Sequence, residues 1–397
     1  MLEVIDRSIN IAECLLRDAS DHNFAGYDPF DSLNSTLLQA TPLYRNKFVR
    51  LAWLQLGKRS PINFRPLLRV PKKRNPKGVG LFISGLLQDY RRTGSAHYLH
   101  QAQELAAWLL TQRSDLQQWQ HSCWGYHFDW QARAFYVPAG KPNIITTCYV
   151  ARALYELGTL TDDQTLIDVA LDSARFISKN LYTDYGDRSF YAYIPGEQAF
   201  VHNASLWGAA WCAFAGKQLC DEKLVAQALH VARQTVQEQA ADGSWVYGAL
   251  HHHQFIDGFH TGYNLEALCL LREATAGSEF DNSIRLGYTY YVNTFFTENG
   301  TARYYNNNVY PIDMHSFAQA VFTLLKVGST AEDLLLCDKV VKRAIDLLYL
   351  PEKGQFIYQK TRWTTNKINY TRWTQARAYC SMAFYNRYRA EIKHAKN

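Results

Sequence analysis

Residues 222–271 read EKLVAQALHVARQTVQEQAADGSWVYGALHHHQFIDGFHTGYNLEALCLL. The first part is an amphipathic helix, with Val225, Ala228, Leu229 and Ala232 at i, i+3, i+4 and i+7, so one face is apolar and the other wet. An aromatic segment, Asp242 to His260, follows. From Thr261 to Leu271 the residues are apolar or small nearly all round, as in a helix buried on every side. A helix with one wet face followed by a helix with none is the unit of a two-layered helical ring.

The unit recurs along the chain. Its aromatic segments are Trp119 to Pro142, Tyr185 to Asn203, Asp242 to His260, Gly300 to His315 and Gly354 to Trp373. The apolar helices begin near Thr146, Asn203, Thr261, His315 and Trp373, a period of about 54 to 58 residues. Amphipathic helices are predicted over His97 to Arg113, Gln164 to Asn180, Glu222 to Gln239, Phe280 to Phe296 and Ala331 to Tyr349; a sixth buried helix fits Val79 to Tyr90. The pattern predicts an all-α chain, residues 1–397 as one (α/α)6 toroid domain with short β-hairpin loops on one face. Six hairpins are expected, and seven would also fit, because helices at Met1 to Arg17 and Pro42 to Leu56 have no obvious ring position. Gly57 to Gly78, with Pro61, Pro66, Pro71 and Pro76, reads as a rim loop or lid.

Composition sets outer bounds. Apolar residues make up 47% and charged residues 20% of the chain, enough for a large core. No apolar run is long enough to span a bilayer, and Met1 to Arg17 is amphipathic and acidic rather than a signal peptide, so a cytoplasmic location is expected. The eight cysteines show no metal-ligand spacing and read as buried thiols. The net charge of +6 owes much to Arg65, Arg69, Lys72, Lys73, Arg74 and Lys77. That run reads as a solvated loop or as a contact for an acidic polymer; the chain carries no nucleic-acid module.

In such a ring every aromatic segment, together with Gly26-Tyr27-Asp28-Pro29-Phe30-Asp31, crowds around one mouth, where the buried helices begin. Trp124-Gly125-Tyr126-His127-Phe128-Asp129-Trp130 is the densest aromatic cluster and brackets a carboxylate. Aromatic faces pack on the C–H faces of sugars while polar side chains bond the hydroxyls, a combination that fits carbohydrate. Any one of these aromatics could equally close a hairpin over the core. Asp257 with His260, three apart at a helix start, reads either as a helix cap or as a carboxylate orienting a histidine for proton transfer, and Asp313 with His315 repeats the theme. The candidate catalytic residues are therefore Asp129, Asp257, His260, Asp313 and His315. Candidate sugar contacts are Tyr27, Asp28, Trp124, Tyr126 and Trp130, then His202, Asn203, Trp245 and Tyr247, and finally Tyr263, Tyr310, Trp373 and Arg377. Arg372 and Arg377 bind a substrate carboxylate or pair with acidic neighbours, and Glu266, inside a buried helix, needs a cation. His251-His252-His253 lacks metal-site spacing, no dinucleotide, P-loop or GxSxG motif occurs, and neither a metal nor a cofactor is expected.

These motifs, with Arg133-Ala134-Phe135, His202-Asn203, Asp242-Gly243-Ser244-Trp245 and His260-Thr261-Gly262, make nearly the whole chain resemble the VpsJ-like bacterial exopolysaccharide and capsule biosynthesis proteins. The resemblance implies a toroid related to six-hairpin glycosidases, polysaccharide lyases and uronate epimerases. It also implies an oligo- or polysaccharide partner, acidic or lipid-linked, and contact with polysaccharide-assembly machinery. Hydrolysis would need two carboxylates, Asp129 with Asp257 or Asp313. Elimination or C5 epimerisation would need Asn203, His202 or Arg377 to neutralise a uronate, and a base among His260, His315, Tyr247 and Tyr310. Glycan cleavage by hydrolysis or elimination is the expectation, with epimerisation or a non-catalytic glycan-binding or scaffolding subunit as alternatives.

Overall fold

Twelve long helices pair into two layers in a computed structural model that describes residues 2–131, 136–328 and 330–396. Six form the inner layer: α3 (Pro76–Thr93), α5 (Ile144–Thr161), α7 (His202–Gln218), α9 (Gly258–Thr275), α11 (Met314–Thr323) and α13 (Ala376–Lys396). Each packs on the next and α13 packs back on α3, so the ring closes with six members. Outside them lie α4 (Ala96–Thr111), α6 (Gln164–Phe176), α8 (Glu222–Gln237), α10 (Asp281–Thr294) and α12 (Ala331–Leu348), each on the inner helix before it, while α1 (Leu2–Asp21) covers α13. The N-terminal helix thus has a ring place, as the partner of the last helix.

Burial follows the two patterns in the sequence. In α8 the buried positions are Leu224, Val225, Ala228, Val231, Ala232 and Thr235, one stripe. In α7 every residue from His202 to Ala213 is buried. Small residues let the inner helices close up: a Cβ on Gly262 of α9 would lie 2.6 Å from Thr323 Oγ1 and 2.9 Å from Gln319 Cγ of α11. One apolar core, from Ile11 to Tyr385, runs between the layers. Among the described residues no helix is long and apolar enough to cross a membrane.

Four inner helices start on an Asn or Asp whose side chain accepts from the first-turn amides: Asn75, Asn143, Asp257 and Asp313. Short hairpins on this side bridge neighbouring units, as where Ile312–Asp313 pairs with Gln359–Lys360 and that strand with Thr365–Asn366. The helix expected over 42–56 forms as α2 (Lys47–Arg59) and stands outside the ring. With Leu33 and Leu38 its Leu54 makes a small separate core, joined by Phe30, Tyr44, Trp53 and Trp130. The rim loop expected over 57–78 is shorter than that, because α2 runs on to Arg59 and Asn75-Pro76 caps and opens α3.

Candidate functional site

The inner-helix N-termini and the flap carrying α2 enclose a cavity of about 520 Å³. Its walls are aromatic: Tyr126, Phe128 and Trp130 on one side, Tyr247, Phe259 and Trp373 on the other. Tyr126 stacks on Phe128 with ring centroids 5.0 Å apart, and its hydroxyl meets that of Tyr193 at 2.9 Å. Among the polar groups of this lining are Asn203, Asp257, the histidines at the α9 and α11 starts, several tyrosine hydroxyls, and the cations Lys58, Arg59, Lys77 and Arg372.

Asp257 is both cap and partner. One carboxylate oxygen accepts from the His260 amide at 2.8 Å, and the other lies 2.7 Å from His260 Nδ1. With Asp257 buried, that contact assigns the proton to Nδ1 and leaves Nε2 as the acceptor facing the cavity. The second Asp/His pair is built differently. Asp313 is fully buried, accepts from the His315 amide at 2.8 Å and from Gln359 Nε2 at 3.1 Å, and burial pushes its carboxyl up to about 7. It does not touch the His315 ring.

His315 instead places Nε2 2.5 Å from the Tyr263 hydroxyl. Burial first, then the charges of Arg377 and Lys77, hold this imidazole well below its ordinary pKa, so it is neutral and accepts the phenol proton. The Tyr263 oxygen in turn accepts from Arg377 Nη2, which also donates to Tyr149. The result is a buried relay, Arg377 to Tyr263 to His315. His260 and His315 flank the Phe259 ring, with centroids 4.2 Å and 4.9 Å from it.

The two arginines expected to bind a carboxylate or pair internally divide the roles. Arg372 is paired: its Nε and Nη2 straddle the Asp28 carboxylate at 2.5 and 2.7 Å, with both side chains buried. A five-residue π turn over Thr371–Gln375 sets Arg372 and Trp373 at the mouth before α13 begins. Arg377 has hydroxyls and ring faces for company and no carboxylate, and its Nε is buried without a partner among the described residues. Asn203 likewise keeps an unpartnered buried Oδ1 in the cavity wall.

Several predicted residues lie elsewhere. Asp129 accepts from Tyr44 Oη and the Ala139 amide, between the flap and a hairpin, outside the cavity lining. Trp124 and Trp245 are in the core, their indoles donating to Leu109 O and Thr235 O at 2.9 and 3.0 Å. His202 is fully buried beside Thr235, and Tyr310 is exposed. Tyr27 lies under Lys72, and Asp28 belongs to the Arg372 pair. Arg133-Ala134-Phe135 lie outside the described residues. His251–His253 form a single 3-10 turn, and among the described residues no three metal-ligating side chains converge.

Lys77, read in the sequence as part of a basic run that is solvated or meets an acidic polymer, is instead buried at the start of α3. It is 5% exposed, with Nζ 4.6 Å above the Tyr149 ring, and burial, then Arg377 and Arg372, hold its amine well below the usual range. The signal was Asn75-Pro76, which starts the helix one residue before it. Behind the relay a second cavity of about 460 Å³ opens at the other end of the ring. There Glu266 finds its cations: burial raises its carboxyl, but Lys326 Nζ at 2.5 Å and Arg152 outweigh that and bring it down to about 2. Tyr149 and Arg377 line this lower cavity, Tyr263 the upper, and their contacts form the partition.

No protein-family model and no curated protein sequence matches the chain. Solved structures do. An unsaturated glucuronyl hydrolase specific for heparin superposes with a TM-score of 0.65 at 12% identity, covering 99% of this chain and 98% of its own. A cellobiose 2-epimerase from Bacillus thermoamylovorans gives 0.61 at 12% identity over 79% of this chain and 90% of its own, and a polysaccharide lyase gives 0.56 at 11% over 80% and 90%. At these identities the likeness shows the fold, and the fold it shows is the (α/α)6 toroid of hydrolases, epimerases and lyases that act on carbohydrate.

Proposed function

We propose that the protein is a carbohydrate-active enzyme that moves a carbon-bound proton of a sugar, by β-elimination or epimerisation. The observation that carries this reading is that the Asp257–His260 dyad and the His315–Tyr263–Arg377 relay face one aromatic cavity from adjacent inner helices. With His260 as the base and the phenol of Tyr263, three residues on along the same helix and tied to His315 and Arg377, as the acid, the site suits removal of a C–H proton and its return, or protonation of a leaving group. Two-carboxylate hydrolysis has less support: Asp257 is the one acid in the lining, and it is committed to His260. Lys77, which forms no ion pair among the described residues, suits an acidic group of a sugar, and the free Oδ1 of Asn203 suits a sugar hydroxyl that donates to it. The VpsJ-like resemblance is what supports a role in the making of a bacterial exopolysaccharide or capsule.

The test is incubation in deuterated water with uronate-containing oligosaccharides and with neutral reducing disaccharides. For epimerisation the expected outcome is a new epimer, without cleavage, that carries deuterium at the inverted carbon; for elimination it is ultraviolet absorbance of an unsaturated product whose C–H proton is lost and not replaced. His260→Ala should lower kcat by about 10² to 10⁴ while glycan binding persists. Cleavage with neither deuterium nor unsaturation would make the enzyme a hydrolase. Tight binding with no turnover in the wild type would make it a glycan-binding subunit.

A further inference from the structure

From Ser32 to Gln88 the chain contains no Asp or Glu, while residues 36–74 alone carry ten Lys and Arg. Five of the ten are used internally: Arg65 on Asp31, Arg50 on Gln131, Lys58 over Phe30, Lys72 over Tyr27 and Arg74 on Asn23. Lys72 is nonetheless exposed, as are the other five, Arg45, Lys47, Arg59, Arg69 and Lys73, and among the described residues none of these six pairs with an acid. The same stretch is apolar on the outside. Of the thirteen exposed large apolar side chains among the described residues, seven lie between Leu37 and Leu67.

The outward face of α2 shows the inversion. Phe48, Ala52 and Leu56, spaced i, i+4 and i+8, are exposed, whereas Leu54 is the residue that faces the small core. Phe48 is 78% exposed. The neighbouring pieces are drawn onto the same side. Leu56, Ile62 and Phe64 rim one shallow groove; Ser35 and Thr36, next to Leu37, bond to the carbonyls of Leu68 and Arg69; and Asn63 shares a hollow with Lys72. A second element joins from the far end of the chain. Asn366 Nδ2 donates to Ser60 O at 3.0 Å, which sets the hairpin carrying Trp363 beside this patch, and Trp363 is 84% exposed.

Seven outward large apolar side chains crowded into one stretch, unlike the scattered ones elsewhere, mark an interaction site, and a partner protein of mixed charge does not explain a stretch of 57 residues without an acid. Apolar side chains rimmed by unpaired cations, with an indole at the edge, are the chemistry of an interfacial anchor, in which the apolar tips enter the acyl boundary and the cations meet lipid phosphates. We infer that the flap over the mouth, residues 36–73 with Trp363, binds the surface of an anionic phospholipid bilayer. Gln55, Lys58 and Arg59 of the same flap line the mouth cavity, so binding holds that opening at the membrane. This inference does not depend on which reaction the cavity performs.

Flotation of the full chain with vesicles of equal parts phosphatidylcholine and phosphatidylglycerol, against vesicles of phosphatidylcholine alone, tests it. The protein should float with the first and stay behind with the second, and added salt should release it. Lys72→Gln with Lys73→Gln should weaken binding about 25-fold at low salt, since each surface cation contributes about fivefold. Phe48→Ser with Leu56→Ser, and Trp363→Ala separately, should weaken it as well, whereas Leu335→Ser, an exposed leucine of α12, should not. Circular dichroism checks that each variant is folded, and two independent apolar variants keep the test alive if one is not. No flotation, flotation indifferent to these changes, or loss of a solution dimer in Phe48→Ser with Leu56→Ser in a protein that never floats would each overturn the inference. The last result would make the patch an interface between two copies.

Discussion

At the scale of single residues, burial sets the state of two inner-ring histidines, His315 in the relay and His202 outside the cavity lining. His202 is the extreme case: it is fully buried, and burial, then Arg188, brings its imidazole down to about 3 even though Glu238 lies 3.6 Å away. Arg188 takes that carboxylate at 2.6 Å and cancels its pull. The sign of the linkage follows. Above about 6.5 the unfolded and folded states are both neutral; as pH falls from there to about 3 only the unfolded chain gains the proton, so stability drops. His202→Gln should flatten the pH dependence by about 1.4 kcal/mol per unit in that window, read from urea melts. In the partition below the upper cavity, Arg377→Met should cost more turnover than Arg377→Lys and should move the acid side of the pH–rate profile, because His315 loses a nearby charge that disfavours its protonation. An unaltered profile would leave Arg377 with a packing role only. These residues were unevenly legible. Asp257-x-x-His260 could be read from spacing, because three residues at a helix start bring a cap and a side chain together. The Tyr263–His315 contact could not, since it joins adjacent inner helices 52 residues apart.

Elements carry the second lesson, because here the alternation of wet and buried helices was legible and the ends were not. Helix faces follow from local period, and every repeat could be found that way. Where the chain joins its own beginning to its end depends on partners far apart in sequence. Asp28, in an early loop, receives Arg372 of the turn that opens α13, and Arg65 pairs with Asp31 at 2.6 Å and donates to Tyr370 at 3.0 Å. One buried ion pair and the hydrogen bond from Arg65 to Tyr370 thus fasten the N-terminal segment to the turn that opens the last inner helix. Arg372→Met should cost about 3–5 kcal/mol in denaturant melts, because it strands the Asp28 carboxylate without its cation. Pairing it with Asp28→Asn should recover part of that loss; no recovery would mean that Arg372 acts through packing alone. The cap at Asn143, which accepts from the Thr146 amide at 2.8 Å, is a milder case, and Asn143→Ala should cost about 0.5–2 kcal/mol.

For the molecule as a whole, the ring is closed by six helical pairs and its upper cavity is roofed in part by the flap. The sequence made that ring predictable, since each repeat buries its apolar helix only against its neighbours. The flap was harder to place, because its apolar residues point both inward and outward and so show no single period. Tyr263, Arg377 and Tyr149 separate the upper cavity from the lower one, so the central hole is a cup and not a sleeve. A polymer is not threaded through it from one side to the other. Under the proposed function, a glycan end enters and leaves by one opening, and the expected outcome is distributive action, with every chain in a sample shortened or altered a little before any is finished, a pattern that gel or chromatographic sizing at early times would reveal.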